Sequence, residues 1–275
     1  MTKQMKFIEQ PMFNVKDTPI GDFKVTEGSF LDDLCLPKAY DYANVRGAVL
    51  QSFEVAAVVR LAISDTSDTM ADGAVVRYQY HDSDTRQTST LAIGFIEEHK
   101  PVVAYAELPG TTNDEINFVN EVYGVHLKDA EFFAKKNHPV VARLIAASQK
   151  HNRVVSAFKE DPLRLSPLET EGGSEYYRNQ HVIAAFKTRK VAEMTANYLS
   201  KRTSKMTRTV RFSGLTETDL EKVLNAKNKD KVVVRAVGFL GRITGSPFFF
   251  DSDVYTHNKF NATGCARGVF PYDKP

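Results

Sequence analysis

Three apolar segments follow one another between residues 75 and 108, and each has the composition of a β-strand. The first, VVRYQYHD, alternates apolar and polar residues, as a half-buried strand does. TSTLAIGFIEE and PVVAYAEL follow it, rich in β-branched and aromatic residues. We therefore predict a β-meander at the end of a mainly antiparallel β N-terminal half, in which the first 30 residues are also extended.

The chain after residue 110 has helical spacing. Thr112 and Glu115 are placed as a capping box, which marks the start of a helix. Pro139 suits the first turn of a helix that extends to Lys150. Residues 128–136 are also predicted to be helical. The middle of the chain is therefore expected to consist of helices.

Strand composition returns in the last hundred residues. It is found in HVIAAFK (residues 181–187), TRTVRF (residues 207–212) and VVVRAVGFLG (residues 232–241). The hexapeptide VVSAFK, at residues 154–159, resembles VIAAFK, at residues 182–187, and we interpret the two as similar strands. The predicted order in this part of the chain is therefore strand, helix, strand, helix, strand.

Those two helical patterns complete the prediction of the fold. Val191, Met194 and Tyr198 recur at helical spacing within residues 189–201, on the face expected to be buried. Thr218 is placed to cap a second helix. The predicted class is α+β, with a mainly antiparallel β N-terminal half packed with a helical middle and a βαβαβ-like C-terminal part.

The domain organisation follows from composition and charge. We predict a β-rich acidic half at residues 1–110, a helical segment at 111–161 and a basic α+β part at 174–275. A Pro-, Gly- and Glu-rich stretch, residues 162–173, is the expected linker. One compact domain is the alternative.

Charge is distributed unevenly along a chain whose net charge is +2. Residues 1–120 contain 18 acidic and 10 basic residues, whereas residues 121–275 contain 16 acidic and 26 basic residues. Such asymmetry is typical of a polyanion-binding region, although two ordinary solvated surfaces would also produce it. The acidic residues include Glu97, Glu98, Glu107, Asp114 and Glu115.

The basic segment, residues 187–211, has eight basic residues and one acidic residue, Glu193. Its cations repel one another unless an anion or an acidic partner lies nearby, and phosphate contacts would make binding salt-dependent. The alternative is that these cations pair with the acidic half of the same chain or of a second copy. The candidate nucleic-acid contacts are Arg189, Lys190, Lys201, Arg202, Lys205, Arg208, Arg211, Arg242 and Tyr255.

The segment from residue 238 to residue 260 adds glycines, Arg242 and several aromatic residues. Tyr255 and one of Phe248 to Phe250 could stack on bases, although at least two of these phenylalanines are expected in the core. Asp251, Asp253 and His257 are too few ligands to predict a metal site. No metal and no cofactor are therefore expected.

Catalytic motifs are missing from the sequence, so we predict no enzymatic activity and no catalytic residues; a site assembled from distant residues is left open. Cys35 and Cys265 are far apart, there is no leader pattern, and no run of apolar residues is long enough to span a membrane. We expect a protein of the reducing cytoplasm that does not associate with a membrane.

Two functions are compatible with these patterns. The first is non-enzymatic binding of RNA or single-stranded nucleic acid through the basic C-terminal surface. The alternative is a protein-interaction module, such as a phage-type inhibitor or adaptor, whose acidic half docks on a basic, possibly RNA-binding, segment of a partner protein. The lack of a family motif suggests a viral protein, and a homodimer or other homo-oligomer is a further expectation.

Overall fold

The computed structural model contains seven helices, one π-helical turn and fourteen strands within the described residues. It describes residues 12–26, 29–31, 36–59, 88–124, 133–156, 170–171, 179–195, 208–213, 215, 217–225, 230–243, 264–266 and 268–271. The strands are β1 (Met12–Val15), β2 (Phe23–Thr26), β3 (Ser29–Leu31), β4 (Val49–Leu50), β5 (Thr90–Glu97), β6 (Lys100–Glu107), β7 (Phe133–Lys135), β8 (Val154–Ser156), β9 (Thr170–Glu171), β10 (Arg208–Ser213), β11 (Lys231–Ala236), β12 (Gly238–Ile243), β13 (Gly264–Ala266) and β14 (Gly268–Pro271). The helices are α1 (Leu36–Asn44), α2 (residues 53–59), α3 (Asn113–Val119), α4 (Pro139–Lys150), α5 (Gln180–Phe186), α6 (residues 189–195) and α7 (Glu217–Leu224), and the π-helical turn, Asn120–Gly124, follows α3.

The largest described sheet has five antiparallel strands in the order β7-β11-β5-β6-β8. Its centre is the hairpin of β5 and β6, which are adjacent in sequence and pair along eight residues each. The other three strands come from distant parts of the chain. The sheet therefore joins residues from all three ranges that the sequence suggested as domains.

Helices cover both faces of this sheet. Ala92 in β5 and Tyr105 in β6 pack on one face, against the apolar residues of α2, α5, α6 and α7. Leu91, Ile93 and Phe95 in β5 pack on the other face, against α1, α3 and α4. Because both faces of β5 are buried, its sequence is almost continuously apolar, whereas a half-buried strand would alternate.

A glycine in β5 allows α7 to approach the sheet closely. A Cβ atom at Gly94 would lie 2.8 Å from Leu220 Cδ2, 2.9 Å from Leu215 Cδ1 and 2.9 Å from Val233 Cγ1. Real side chains are almost never this close, so a larger residue would push α7 away from the sheet. The absence of a side chain at this position thus fixes the packing of the helix.

Three smaller antiparallel sheets complete the described structure. Their strand orders are β1-β2-β14-β4, β12-β10-β9 and β13-β3. In the first, β14 lies between β2 and β4, so residues far apart in sequence form its interior pairs. The second sheet contains three of the predicted arginine contacts and is described below.

The α+β class is confirmed, because helices and antiparallel sheets are both present. Thr112 is confirmed as the N-cap: its Oγ1 accepts a hydrogen bond from the Glu115 backbone N–H at 3.3 Å. The Glu115 carboxylate accepts from the Thr111 N–H, one residue before the position that a capping box uses. Helix α4 begins at Pro139, as its position predicted. Within the described part of the chain, no helix is long and apolar enough to cross a membrane.

Two predicted elements are wrong. Residues 181–187 were predicted as a strand, but α5 occupies residues 180–186, because Asn179 Oδ1 caps its first turn and its apolar residues pack along one helical face. Residues 128–136 were predicted as a helix, but residues 133–135 form β7, an edge strand paired with β11. In both cases tertiary packing overrides the local pattern.

Two details of the predicted helices also differ from the structure. Met194 was expected on the buried face of α6, and its relative exposure is 38%, whereas Val191 is fully buried. Helix α7 begins at Glu217, so Thr218 lies inside the helix and does not precede it as a cap. The existence of both helices was nevertheless predicted.

Candidate functional site

The basic segment begins at Lys187, and its next two basic residues lie in helix α6. Arg189 and Lys190 lie in its first turn, and both are exposed. Arg189 Nε donates to Glu193 Oε1 at 2.8 Å, one helical turn along, so the acidic residue of the segment offsets part of its charge. An exposed pair of this kind contributes little to stability. The structure thus places two of the predicted contacts side by side at the surface.

Strand register places two of the predicted arginine contacts on one face of the sheet β12-β10-β9. Arg242 in β12 is opposite Thr209 in β10, and Arg211 lies two residues further along β10. Residues two apart in a strand share a face, so Arg211 and Arg242 occupy diagonal positions on the same face and Arg208 a position on the other. Glu171 in β9 is also opposite Thr209, which adds an acidic position to that face.

The remaining predicted contacts lie outside the described residues. These are Lys201, Arg202, Lys205 and Tyr255. The aromatic run Phe248 to Phe250 and the potential metal ligands Asp251, Asp253 and His257 also lie outside them. Their roles stay predictions.

Two of the acidic residues within positions 1–120 are engaged in internal ion pairs. Arg143 Nη2 lies 2.5 Å from Glu115 Oε1, and Glu115 Oε2 accepts from the Thr111 backbone N–H at 3.0 Å. Glu107 is paired with Arg153. By contrast, Glu98 and Asp114 are exposed. The described acidic residues therefore do not form one uninterrupted surface for a basic partner.

A charge cluster, formed by Glu54, Glu107, Arg153, Lys187 and Thr188, lies where α2, the end of β6, the start of β8 and the junction of α5 with α6 meet. Glu107 Oε2 lies 2.7 Å from Arg153 Nη1 and 3.3 Å from Lys187 Nζ. Thr188 Oγ1 donates to Glu54 Oε1 at 2.8 Å. Two carboxylates from separate elements thus contact two successive residues of the helix junction.

Arg153 ties this junction to the sheet. Its side chain is only 6% exposed. Besides Glu107, it donates from Nε to the Ala184 carbonyl at 2.6 Å and from Nη2 to the Ala185 carbonyl at 3.1 Å. These carbonyls belong to the last turn of α5, where backbone acceptors lack partners within the helix and where a cation is favoured. Arg153 therefore caps the carboxyl end of α5.

Glu54 is the least exposed acid of the charge cluster, with 4% of its surface accessible. Burial raises the pKa of its carboxyl above the ordinary value. The hydrogen bond from the Thr188 hydroxyl and the positive charge of Lys187 oppose this rise in pKa, and the negative charge of Glu107 adds to it. The protonated form of Glu54 is therefore favoured relative to a carboxyl in water.

The backbone at the junction is strained. Lys187 has φ 61° and ψ −43°, in the left-handed half of conformational space that favours glycine. The Thr188 N–H donates to the Phe186 carbonyl at 2.6 Å, which closes a three-residue γ-turn around Lys187. A γ-turn with positive φ is rare and costs about 1–3 kcal/mol, so the surrounding contacts must hold it in place.

The charge cluster was not predicted from the sequence. Lys187 belongs to the basic segment but was not among the candidate nucleic-acid contacts, and the structure places it beside Glu107, as the alternative of pairing with the acidic half predicts. A usable pattern was present: Glu54 interrupts the apolar run FEVAAVV, and Arg153 directly precedes VVSAF. Charged residues within apolar runs indicate buried, paired groups.

Tyr105 and His181 form a second buried polar contact beside the cluster. The Tyr105 hydroxyl lies 3.0 Å from His181 Nδ1, and both residues are less than a tenth exposed. Burial raises the pKa of Tyr105. Burial also lowers the pKa of His181 from 6.5 to about 4, although a hydrogen bond with the Ser156 backbone partly opposes this. His181 is therefore neutral at physiological pH.

We expect His181 to reduce the stability of the protein in mild acid. Its pKa is lower in the folded state, so the unfolded state binds more protons between about pH 6.5 and pH 4. The free energy of unfolding should fall by up to about 3 kcal/mol over that range. Urea denaturation at several pH values, compared with the variant His181→Gln, measures this contribution. An identical pH profile in the variant would contradict the prediction.

The described residues contain no group of three or more histidine, cysteine, aspartate or glutamate side chains that could hold a metal ion. A scan against models of protein families, a search of curated proteins and a search of solved structures each found no match to the chain.

Proposed function

We propose that the protein binds nucleic acid, RNA or single strands in preference to duplex DNA, through its basic segment and the adjacent strand β12. The observation that carries this proposal is the density of basic residues at 187–211, of which Arg189 and Lys190 are exposed. The shared face of Arg211 and Arg242 supports it. Cations spaced along a surface contact phosphates irrespective of base sequence, so binding of this type is governed by charge.

Fluorescence anisotropy with labelled single-stranded RNA, single-stranded DNA and duplex DNA tests the proposal. We expect binding to weaken by about 50-fold between roughly 50 and 200 mM salt if about four phosphates of a single strand are contacted. Reversing the charge of Lys201, Arg202 and Lys205 to glutamate should abolish binding, because the cations that would neutralise phosphates are replaced by anions that repel them.

A matched control separates the basic segment from the total charge. Lys38, Lys100 and Lys150 are exposed and lie outside the segment, so their replacement by glutamate changes the net charge equally. This control variant should keep most of its affinity. Equal loss in both variants would show that the segment is not the binding surface. No binding by the unmodified protein at low salt would overturn the proposal and favour the protein-interaction alternative.

A further inference from the structure

We propose that Lys187 and Thr188 form a strained hinge between α5 and α6, held closed by Glu107 and Glu54, and that the protonation state of Glu54 sets how often the hinge opens. Opening of the hinge concerns the γ-turn and the first turn of α6, and it does not depend on nucleic-acid binding.

Contacts on both sides of the hinge confine the opening to the turn, because Arg153 holds α5 and the fully buried Val191 and Ala192 hold α6 in the core. The last turn of α5 is held to the sheet by Arg153, which contacts the Ala184 and Ala185 carbonyls. After the γ-turn, the Thr188 backbone carbonyl accepts a hydrogen bond from the Ala192 N–H at 3.3 Å, in the first turn of α6. The positive φ of Lys187 favours release of the turn, and the Lys187–Glu107 and Thr188–Glu54 contacts oppose it.

The direction of the pH effect follows from the environment of Glu54. The charged groups that act on it are Lys187, from the hinge, and Glu107, from the end of β6. Opening would expose the Glu54 carboxyl to water, where its pKa returns towards the ordinary value. The closed state therefore binds protons more tightly than the open state. Closure is fully favoured below pH 4.5 and weakens as the pH rises through the raised pKa of Glu54.

Amide hydrogen exchange of the full chain, followed by NMR at Thr188 and Ala192, measures this opening. Protection factors corrected for the intrinsic exchange rate should fall as the pH rises from 4.5 through the raised pKa of Glu54. In Glu54→Gln, where the amide oxygen can still accept from Thr188, they should not change with pH. Glu98→Gln, which removes one exposed acidic charge elsewhere, should behave like the unmodified protein. The amides of β5 serve as the reference for global unfolding of the protein.

Three results would overturn the inference. The first is protection at Thr188 that does not depend on pH. The second is a pH dependence of that protection in Glu54→Gln equal to the one in the unmodified protein. The third is protection that rises with pH, which would instead follow the titration of His181 in α5.

A pair of variants at residue 187 tests the strain separately. Both Lys187→Ala and Lys187→Gly remove the contact with Glu107, but only glycine adopts the positive φ without strain. The glycine variant should therefore have the higher thermal midpoint, by about 2 °C or more. At an ordinary position alanine is the more stable of the two, so a higher midpoint for Lys187→Ala would show that the hinge is not strained.

Discussion

Replacing Arg235 with methionine is expected to lower the free energy of unfolding by about 3–5 kcal/mol. Arg235 lies in β11 and reaches α7, where its Nε lies 3.0 Å from Asp219 Oδ2 and its Nη2 lies 2.5 Å from Asp219 Oδ1. Both side chains are only 4% exposed. Without the arginine, the Asp219 carboxylate would stay buried without the charge of Arg235, and its desolvation accounts for the cost.

The double variant Arg235→Met, Asp219→Leu separates this cost from the loss of packing. Because a buried ion pair can be replaced by apolar residues with little loss, the double variant should recover most of the stability. Arg189→Met, at the exposed pair with Glu193, is the matched control and should cost no more than about 0.5 kcal/mol. Urea denaturation followed by circular dichroism provides the measurement. A cost below about 1 kcal/mol for Arg235→Met would contradict the prediction.

The second large effect is expected at Gly110, three residues after the end of β6. Its φ is +69°, and a Cβ atom there would overlap the ring of Tyr40 in α1. That ring cannot easily move, because Tyr40 is fully buried and its hydroxyl donates to the Leu108 carbonyl. Asn44 Nδ2 also donates to the Gly110 carbonyl at 3.1 Å. Gly110→Ala should therefore cost about 3 kcal/mol or more, from backbone strain and displacement of the ring together.

Gly47 provides the control for Gly110. Its φ is +66°, and a Cβ atom there would meet no other atom within 4 Å. Gly47→Ala should cost only about 1 kcal/mol, because backbone strain acts without a steric clash. Thermal or urea unfolding of the two variants compares these contributions. Similar costs at both positions would show that the Tyr40 ring adapts and that only the backbone matters.

Local sequence patterns predicted the elements that their own residues define, independently of packing with distant parts of the chain. The apolar runs around β5 and β6 predicted the central hairpin, and Pro139 predicted the start of α4. The similar peptides VVSAFK and VIAAFK show where such patterns fail. The first contributes β8 at its start, whereas the second forms most of α5, because Asn179 caps the helix and its apolar residues pack on one face of the sheet. Composition alone does not distinguish these environments.

The charge cluster was harder to predict than the fold. Its acidic and basic residues lie at positions 54, 107, 153 and 187, and no sequence spacing connects them. They meet only because α2 and the α5–α6 junction pack on the face of β6 that contains Tyr105 and Glu107. The strained φ of Lys187 has no sequence pattern either, since a glycine or asparagine would be expected there. By contrast, the exposure of cations such as Arg189 was predicted from the composition of the basic segment.

The position of β14 has a consequence for the synthesis of the protein. Residues 268–271 pair with residues 23–25 on one side and residues 49–50 on the other, in the interior of a sheet that otherwise comes from the first 50 residues. While the chain is being translated, β2 and β4 therefore lack the strand that separates them until residues 268–271 have left the ribosome. Unpaired strand edges readily associate with other chains. A nascent chain that stalls before residue 268 would present two such edges to any chaperone or neighbouring chain that reaches it.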